Sequence, residues 1–125
     1  MNAEKLKAII ATQAGIALPS IQIKLNEDVD ERDIPSLVIH MTSEEVDRGM
    51  PNHTEVSTQL ILLVEDDDTG MEDDVTAWLD TCPDFSNAGL TTFQTYYEGV
   101  TYDKLDKHIH QYTFELNSFC FAETV

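Results

Sequence analysis

The strongest constraint on the fold is the alternation of side chains along two long stretches, residues 54–64 and 109–121. In the first, Val56, Thr58, Leu60, Leu62 and Val64 occupy every second position. In the second, Tyr112, Phe114, Leu116 and Ser118 do the same. Successive side chains of a strand point to opposite faces of a sheet, so this period of two predicts long strands with one buried face.

Three shorter stretches predict further strands. Ile21–Leu25 alternates apolar and polar residues, Ile34–Met41 is an apolar block that contains Leu37, Val38 and Ile39, and Leu90–Tyr97 precedes the closing strand. A short alternating stretch is typical of a half-buried strand, whereas an apolar block favours a more central one. The chain therefore supplies about five strands.

Helical spacing appears twice. Leu6, Ile9 and Ile10 share one face over Asn2–Ala14, with Gly15 as the predicted stop. Thr69 and Glu72 have the spacing of a capping box for a second helix. Its predicted core face comprises Met71, Val75, Trp78, Leu79 and Cys82, and Pro83 closes it.

The predicted order is helix, three strands, helix, two strands. It favours an α+β fold in which an antiparallel or mixed β-sheet of about five strands carries two α-helices packed on one face. The 125 residues fit a single domain over 1–125. Both cysteines, Cys82 and Cys120, are predicted to be reduced core residues.

A connection of about a dozen residues, Thr42–His53, separates the second and third predicted strands and is far longer than a tight hairpin turn. Long loops in small domains are usually functional or mobile, and both alternatives remain open here. If the segment is a partner-contacting arm, its predicted interface residues are Glu44, Glu45, Val46, Asp47, Arg48, Met50, Pro51 and His53.

Charge restricts the class of partner. The chain has 24 acidic and 7 basic residues, a formal net charge of −17. Sequence-specific DNA binding and anionic membrane surfaces are disfavoured, because both need clustered Lys and Arg. The charge serves either solubility alone, or a surface that repels or imitates DNA. No signal peptide or membrane-spanning stretch is predicted.

No catalytic or metal site is predicted. The acidic run Glu65–Asp74 departs from a calcium-binding loop in its first and last positions, and its acids suit a helix N-terminus. His108 and His110 share a strand face but lack an evident third ligand. With no nucleophile motif and no phosphate loop, we expect a protein that is not an enzyme and uses no cofactor.

The layout resembles that of the tail-terminator, or tail-completion, proteins of long-tailed bacteriophages, and more loosely head–tail neck components. The resemblance is one of pattern over nearly the whole chain. Its segments are the helix Ala3–Ala14, the strand entered through Asp33–Ile39, the loop Thr42–His53, the strand Val56–Val64, the helix with Trp78, the segment Tyr97–Asp103 and the aromatic strand Gln111–Leu116.

This resemblance implies a structural virion protein of the tail or neck that is assembled in the host cytoplasm. It would form a homo-oligomeric ring, often of six copies, that caps the tail tube and joins it to the neck. The implied partners are other copies of the chain, the tail tube protein and a neck or head-completion protein, with DNA passing through the ring. The alternative function is an acidic DNA mimic that inhibits a host DNA-binding enzyme.

Overall fold

A computed structural model describes residues 2–25, 34–47, 49–66, 70–87 and 89–122, without the side chains of residues 47 and 50–52. The elements are α1 (Asn2–Ala17), β1 (Gln22–Lys24), β2 (Ser36–Asp47), β3 (Met50–Glu65), α2 (Met71–Asp80), β4 (Leu90–Lys104) and β5 (Ile109–Ala122). The predicted order of helix, three strands, helix, two strands is confirmed.

The five strands form one mixed sheet in the order β1-β2-β3-β5-β4. Among these described strands only β1 pairs in parallel, with β2, and the other three pairings are antiparallel. The long alternating stretches lie at the centre, where β3 pairs with β5 over most of its length. The predicted α+β class is therefore confirmed, and β4 lies at one edge of the sheet.

The hydrophobic core lies between one face of the sheet and the two helices. Leu6, Ile10 and Ala14 of α1 are fully buried, as is Val75 of α2. They pack with sheet residues that alternate as predicted: Leu37 and Ile39 of β2, Val56, Leu60, Leu62 and Val64 of β3, and Phe114, Leu116 and Cys120 of β5. We call the opposite face of the sheet the open face.

Helix α1 is longer than predicted. Gly15 does not end it, because the helix continues to Ala17, and the N–H of Leu18 still donates to the carbonyl of Ala14 at 2.8 Å. Glycine costs an interior helical position only about 1 kcal/mol relative to alanine, which packing of the helix offsets. Pro19, which cannot continue a helix, follows the last turn.

Helix α2 begins differently from the prediction. Its N-cap is Gly70, with φ of 96° and no side-chain capping bond, while Thr69 lies outside the described residues. Glu72, Asp73 and Asp74 occupy the first turn, where carboxylates favour the positive end of the helix dipole. The predicted burial of Cys82 is wrong: the helix ends at Asp80, and Cys82 is exposed with φ of 53°.

The prediction of a long loop over Thr42–His53 is also wrong. Strand β2 continues to Asp47 and β3 starts at Met50, so only two residues separate the two strands. Bulges interrupt the ladder after Met41 and after Val46. The polar residues of this segment have a weak intrinsic preference for strands. They are nevertheless extended, because β5 provides backbone hydrogen-bond partners for β3 as far as His53.

Strand β4 likewise exceeds its predicted end at Tyr97. It continues to Lys104 through a bulge between Tyr97 and Gly99, whose φ of 140° is a conformation that glycine adopts without strain. The connection to β5 is therefore the short turn 105–108, in which the N–H of Leu105 donates to the carbonyl of Ile109 at 3.1 Å.

Candidate functional site

The open face carries exposed aromatic side chains at the end of the sheet beside the β2–β3 hairpin. Phe93 is 58% exposed, Tyr96 44% and Phe119 36%. The rings of His53 and Phe93 stack with centroids 5.3 Å apart, and His53 also contacts Phe121 at 4.7 Å. A bulge between Thr92 and Gln94 places Phe93 outside the regular ladder.

A cavity of about 320 Å³, which we call the hairpin pocket, lies beside these rings. Its lining combines residues from all four long strands and consists of Glu45, Val46, His53, Thr54, Glu55, Phe93, Phe119 and Cys120. Three of the predicted interface residues, Glu45, Val46 and His53, are thus brought to one site. Val46 is 56% exposed, but it lies opposite Thr54 in the ladder, so its side chain points to the other face of the sheet from Glu45 and Glu55.

Two glutamates line the hairpin pocket from neighbouring strands. Glu45 and Glu55 are direct cross-strand partners in the β2–β3 ladder, and Phe119 continues the same row on β5. Like charges directly opposite each other destabilise a sheet. Asn117 relieves part of this cost, because its Nδ2 donates to Oε1 of Glu55 at 2.7 Å. No Lys or Arg is found among the described residues of the lining.

Glu44, the residue before Glu45 on β2, has a different role within the chain. Its Oε1 accepts a hydrogen bond from the backbone N–H of Ala3 at 3.2 Å, at the start of α1. The side chain of Asn2 also donates to Oγ1 of Thr54, at 2.7 Å. Both contacts join the first turn of α1 to the hairpin, and the carboxylate faces the positive end of the helix dipole.

The remaining predicted interface residues have no described side chain. Arg48 lies outside the described residues, and the side chains of Asp47, Met50 and Pro51 are likewise outside them. The surroundings of a predicted interface side chain are therefore described for Glu44, Glu45, Val46 and His53 alone.

The thiol of Cys120 is a poor candidate for chemistry. Burial, assisted by the negative charge of Glu44, raises the pKa of this thiol to about 11. The thiolate is the form that attacks electrophiles and binds metals, so Cys120 is protonated and unreactive at neutral pH. Its side chain is a small apolar member of the hydrophobic core.

A second polar cluster joins the end of β3 to the β4–β5 hairpin. His108 Nδ1 lies 3.1 Å from Asp66 Oδ2, and His110 Nε2 contacts Asp66 Oδ1. The hydroxyl of Tyr102 lies 2.6 Å from Nδ1 of His110. Hydrogen bonds from His110 first, and then from His108, lower the pKa of Asp66. The cluster thus connects elements that are distant in the sequence.

Neither a scan of protein-family models nor a search of curated proteins finds a match to the chain.

Two further observations concern the described residues. No group of three or more His, Cys, Asp or Glu side chains in this part of the chain is placed to hold a metal ion. No described helix is both long enough and apolar enough to cross a membrane.

Five of the eight residues that line the hairpin pocket were not predicted from the sequence as interface residues. Glu55 and Phe119 sit on the polar face of strands that were assigned by their apolar face, and Phe93 lies at a bulge. The alternation does place Glu55 and Phe119 opposite the core. Their closeness to Glu45 required the strand register, which periodicity does not provide.

Proposed function

We propose that the protein is a structural virion component that forms a homo-oligomeric ring on the end of a phage tail tube and joins the tube to the neck. The main support for this proposal is the open face, where the exposed side chains of Phe93, Tyr96 and Phe119 lie beside the hairpin pocket. Contiguous exposed aromatic surface of this kind is typical of contact sites between proteins.

The fold supports the same role through the edge of its sheet. Strand β4 has 15 residues and pairs with β5 along one side only, among the described strands. The outer backbone groups of an edge strand readily pair with a strand of another subunit. Exposed Val100 and Tyr102 on β4 offer side-chain contacts beside that edge.

The net charge fits a channel through which DNA passes. A ring of six copies would carry six times −17, a formal charge of −102. Carboxylates that face a channel repel phosphate, so DNA would not adhere to its wall. The same charge opposes assembly of the free protein at low ionic strength, where repulsion between subunits is little screened.

Electron microscopy of the purified protein mixed with candidate tail tubes tests this function. We expect rings at tube ends and, by light scattering, growth of a discrete oligomer as NaCl rises from 20 mM to 500 mM. A protein that stays monomeric throughout and leaves tube ends bare would contradict the proposal. Recovery of a nuclease or methylase from host lysate would instead favour the DNA-mimic alternative.

A further inference from the structure

We propose that the hairpin pocket binds an arginine side chain presented by a basic segment of a partner protein. This inference deepens the role proposed above and rests on it for the existence of a protein partner, because it names the chemistry that the same surface recognises. The carboxylates and the aromatic walls point to a guanidinium group, and the cavity is large enough to admit one.

The carboxylates leave a charge imbalance that a cation would correct. Glu45 and Glu55 are adjacent across the ladder, and side chains in such pairs have Cβ atoms about 4.5–5.5 Å apart. A guanidinium has five N–H donors in a planar fork, so it can donate to both carboxylates at once. Asn117 already orients Glu55, which reduces the entropy lost when a cation binds.

The aromatic walls suit the flat face of the same group. Phe93 and Phe119 line the pocket beside the two carboxylates. A guanidinium over an aromatic ring gains a cation–π interaction, and arginine makes such contacts more often than lysine. His53 supports the wall, because its ring stacks against Phe93.

The cavity is large enough to admit one arginine side chain. Its volume of about 320 Å³ lies at the lower end of ligand pockets, which span roughly 300–1,000 Å³. One extended arginine side chain is of this scale. The rings of Phe93 and Phe119 then contact its methylene groups.

The charge of the whole molecule selects the source of the arginine. A net charge of −17 attracts a basic segment and accelerates its encounter with the pocket. A second copy of this chain carries the same −17 and is repelled at long range. Charge complementarity therefore favours a different, basic protein over another copy in this pocket.

Titration of the full-length ¹⁵N-labelled protein with the peptide acetyl-Gly-Arg-Gly-Arg-Gly-amide tests the proposal in 150 mM NaCl. We expect saturable shifts in the amide signals of Glu45, Glu55 and Phe119. The same peptide with citrulline in place of both arginines has a neutral side chain of nearly the same shape. It should bind at least about tenfold more weakly, since hydrogen bonds from charged donors are stronger than those from neutral ones. The lysine peptide should be weaker than the arginine peptide.

Variants separate a formed site from general attraction to an acidic surface. Glu55→Gln and Phe93→Leu should each weaken arginine-peptide binding about fivefold or more. Asp80→Asn and Asp103→Asn remove one exposed charge elsewhere and should leave binding unchanged. Glu45→Gln, at an exposed position, replaces Glu55→Gln if the latter fails to fold. Equal weakening by all acidic variants, or equal affinity for the citrulline or lysine peptide, would overturn the proposal.

The arginine site and the virion role are tested by separate results. If the protein binds the arginine peptide but never caps tail tubes, the virion role is contradicted and the arginine site is supported. If the protein caps tubes but its pocket binds no arginine peptide, the arginine site is contradicted and the virion role is supported.

Discussion

At the scale of single residues, side chains that share a charge have different roles set by their neighbours. Glu44 stabilises the start of α1, whereas Glu45 and Glu55 face each other in the hairpin pocket. Asp66 is held by two histidines from the far end of the chain. The large number of carboxylates in the sequence conceals these differences, because each role depends on a contact distant in sequence.

Asp66→Asn should lower the melting temperature at neutral pH but not in strong acid. The pKa of Asp66 is lowered from its ordinary value of 3.8 by His110 and His108, so folding favours the charged form. That stabilisation is present above about pH 4 and is lost as the pH falls through the lowered pKa. Melting curves by circular dichroism from pH 7 to pH 2 measure the difference between variant and parent.

The same scan on Asp103→Asn provides the control, since Asp103 is exposed on β4. If the difference in melting temperature between Asp66→Asn and the parent is as large at pH 2 as at pH 7, the charged carboxylate of Asp66 is not what stabilises the protein.

Neighbouring glutamates of β2 should respond in opposite directions to the same substitution. Glu44→Gln weakens the carboxylate interaction with the N-terminus of α1 and should destabilise the protein by about 0.5–1 kcal/mol. Glu45→Gln removes a like charge opposite Glu55 and should be neutral or stabilising by a few tenths of a kcal/mol. Urea unfolding of both variants measures the two free energies. Equal destabilisation would show that the register assigns their roles wrongly.

At the scale of elements, β4 and β5 each have two functions divided between their faces. The core face of β5 holds Phe114, Leu116 and Cys120, and its open face presents Phe119. Bulges in β4 displace Phe93 from the ladder and let the strand continue past Tyr97. The strands therefore supply both the core and the contact surface, while the helices pack on the core side.

Two phenylalanine truncations should separate these functions. Phe114→Ala leaves a cavity at a fully buried site and should cost about 3–5 kcal/mol. Phe93→Ala, at a side chain that is 58% exposed, should cost less than about 1 kcal/mol. Unfolding free energies measured in urea compare the two directly. A large loss for Phe93→Ala would mean that the exposed ring belongs to the core instead of a contact site.

At the scale of the whole molecule, the net charge affects both stability and assembly. A formal charge of −17 on 125 residues imposes self-repulsion that is greater in the compact state than in the unfolded chain. Salt screens this repulsion over about 10 Å at 0.1 M. The charge thereby couples the stability of the subunit and its assembly to the same variable, ionic strength.

The midpoint of urea unfolding should therefore rise as NaCl increases from 10 mM to 500 mM. Urea is uncharged, so it leaves the ionic strength to the added salt. The measurement is made at low protein concentration, where light scattering shows a monomer, so that assembly does not contribute. A midpoint that falls with salt would mean that attractive ion pairs outweigh the net repulsion.

The α+β class, the element order and the buried face of each long strand can all be predicted from the amino-acid sequence. These follow from local periodicity, which the core residues Leu60, Leu62 and Phe114 display every second position. Periodicity did not predict the strands over Thr42–His53, where few apolar residues mark them, and it did not predict that α2 ends at Asp80 and leaves Cys82 exposed.

The extent of the β2–β3 hairpin, the pairing of Glu45 with Glu55 and the contact of Asp66 with His110 are known only from the folded chain. Strand extension and side-chain proximity depend on the register between segments that are far apart in the chain. Periodicity reports which face of a strand is buried, but it carries no information about which residue lies opposite.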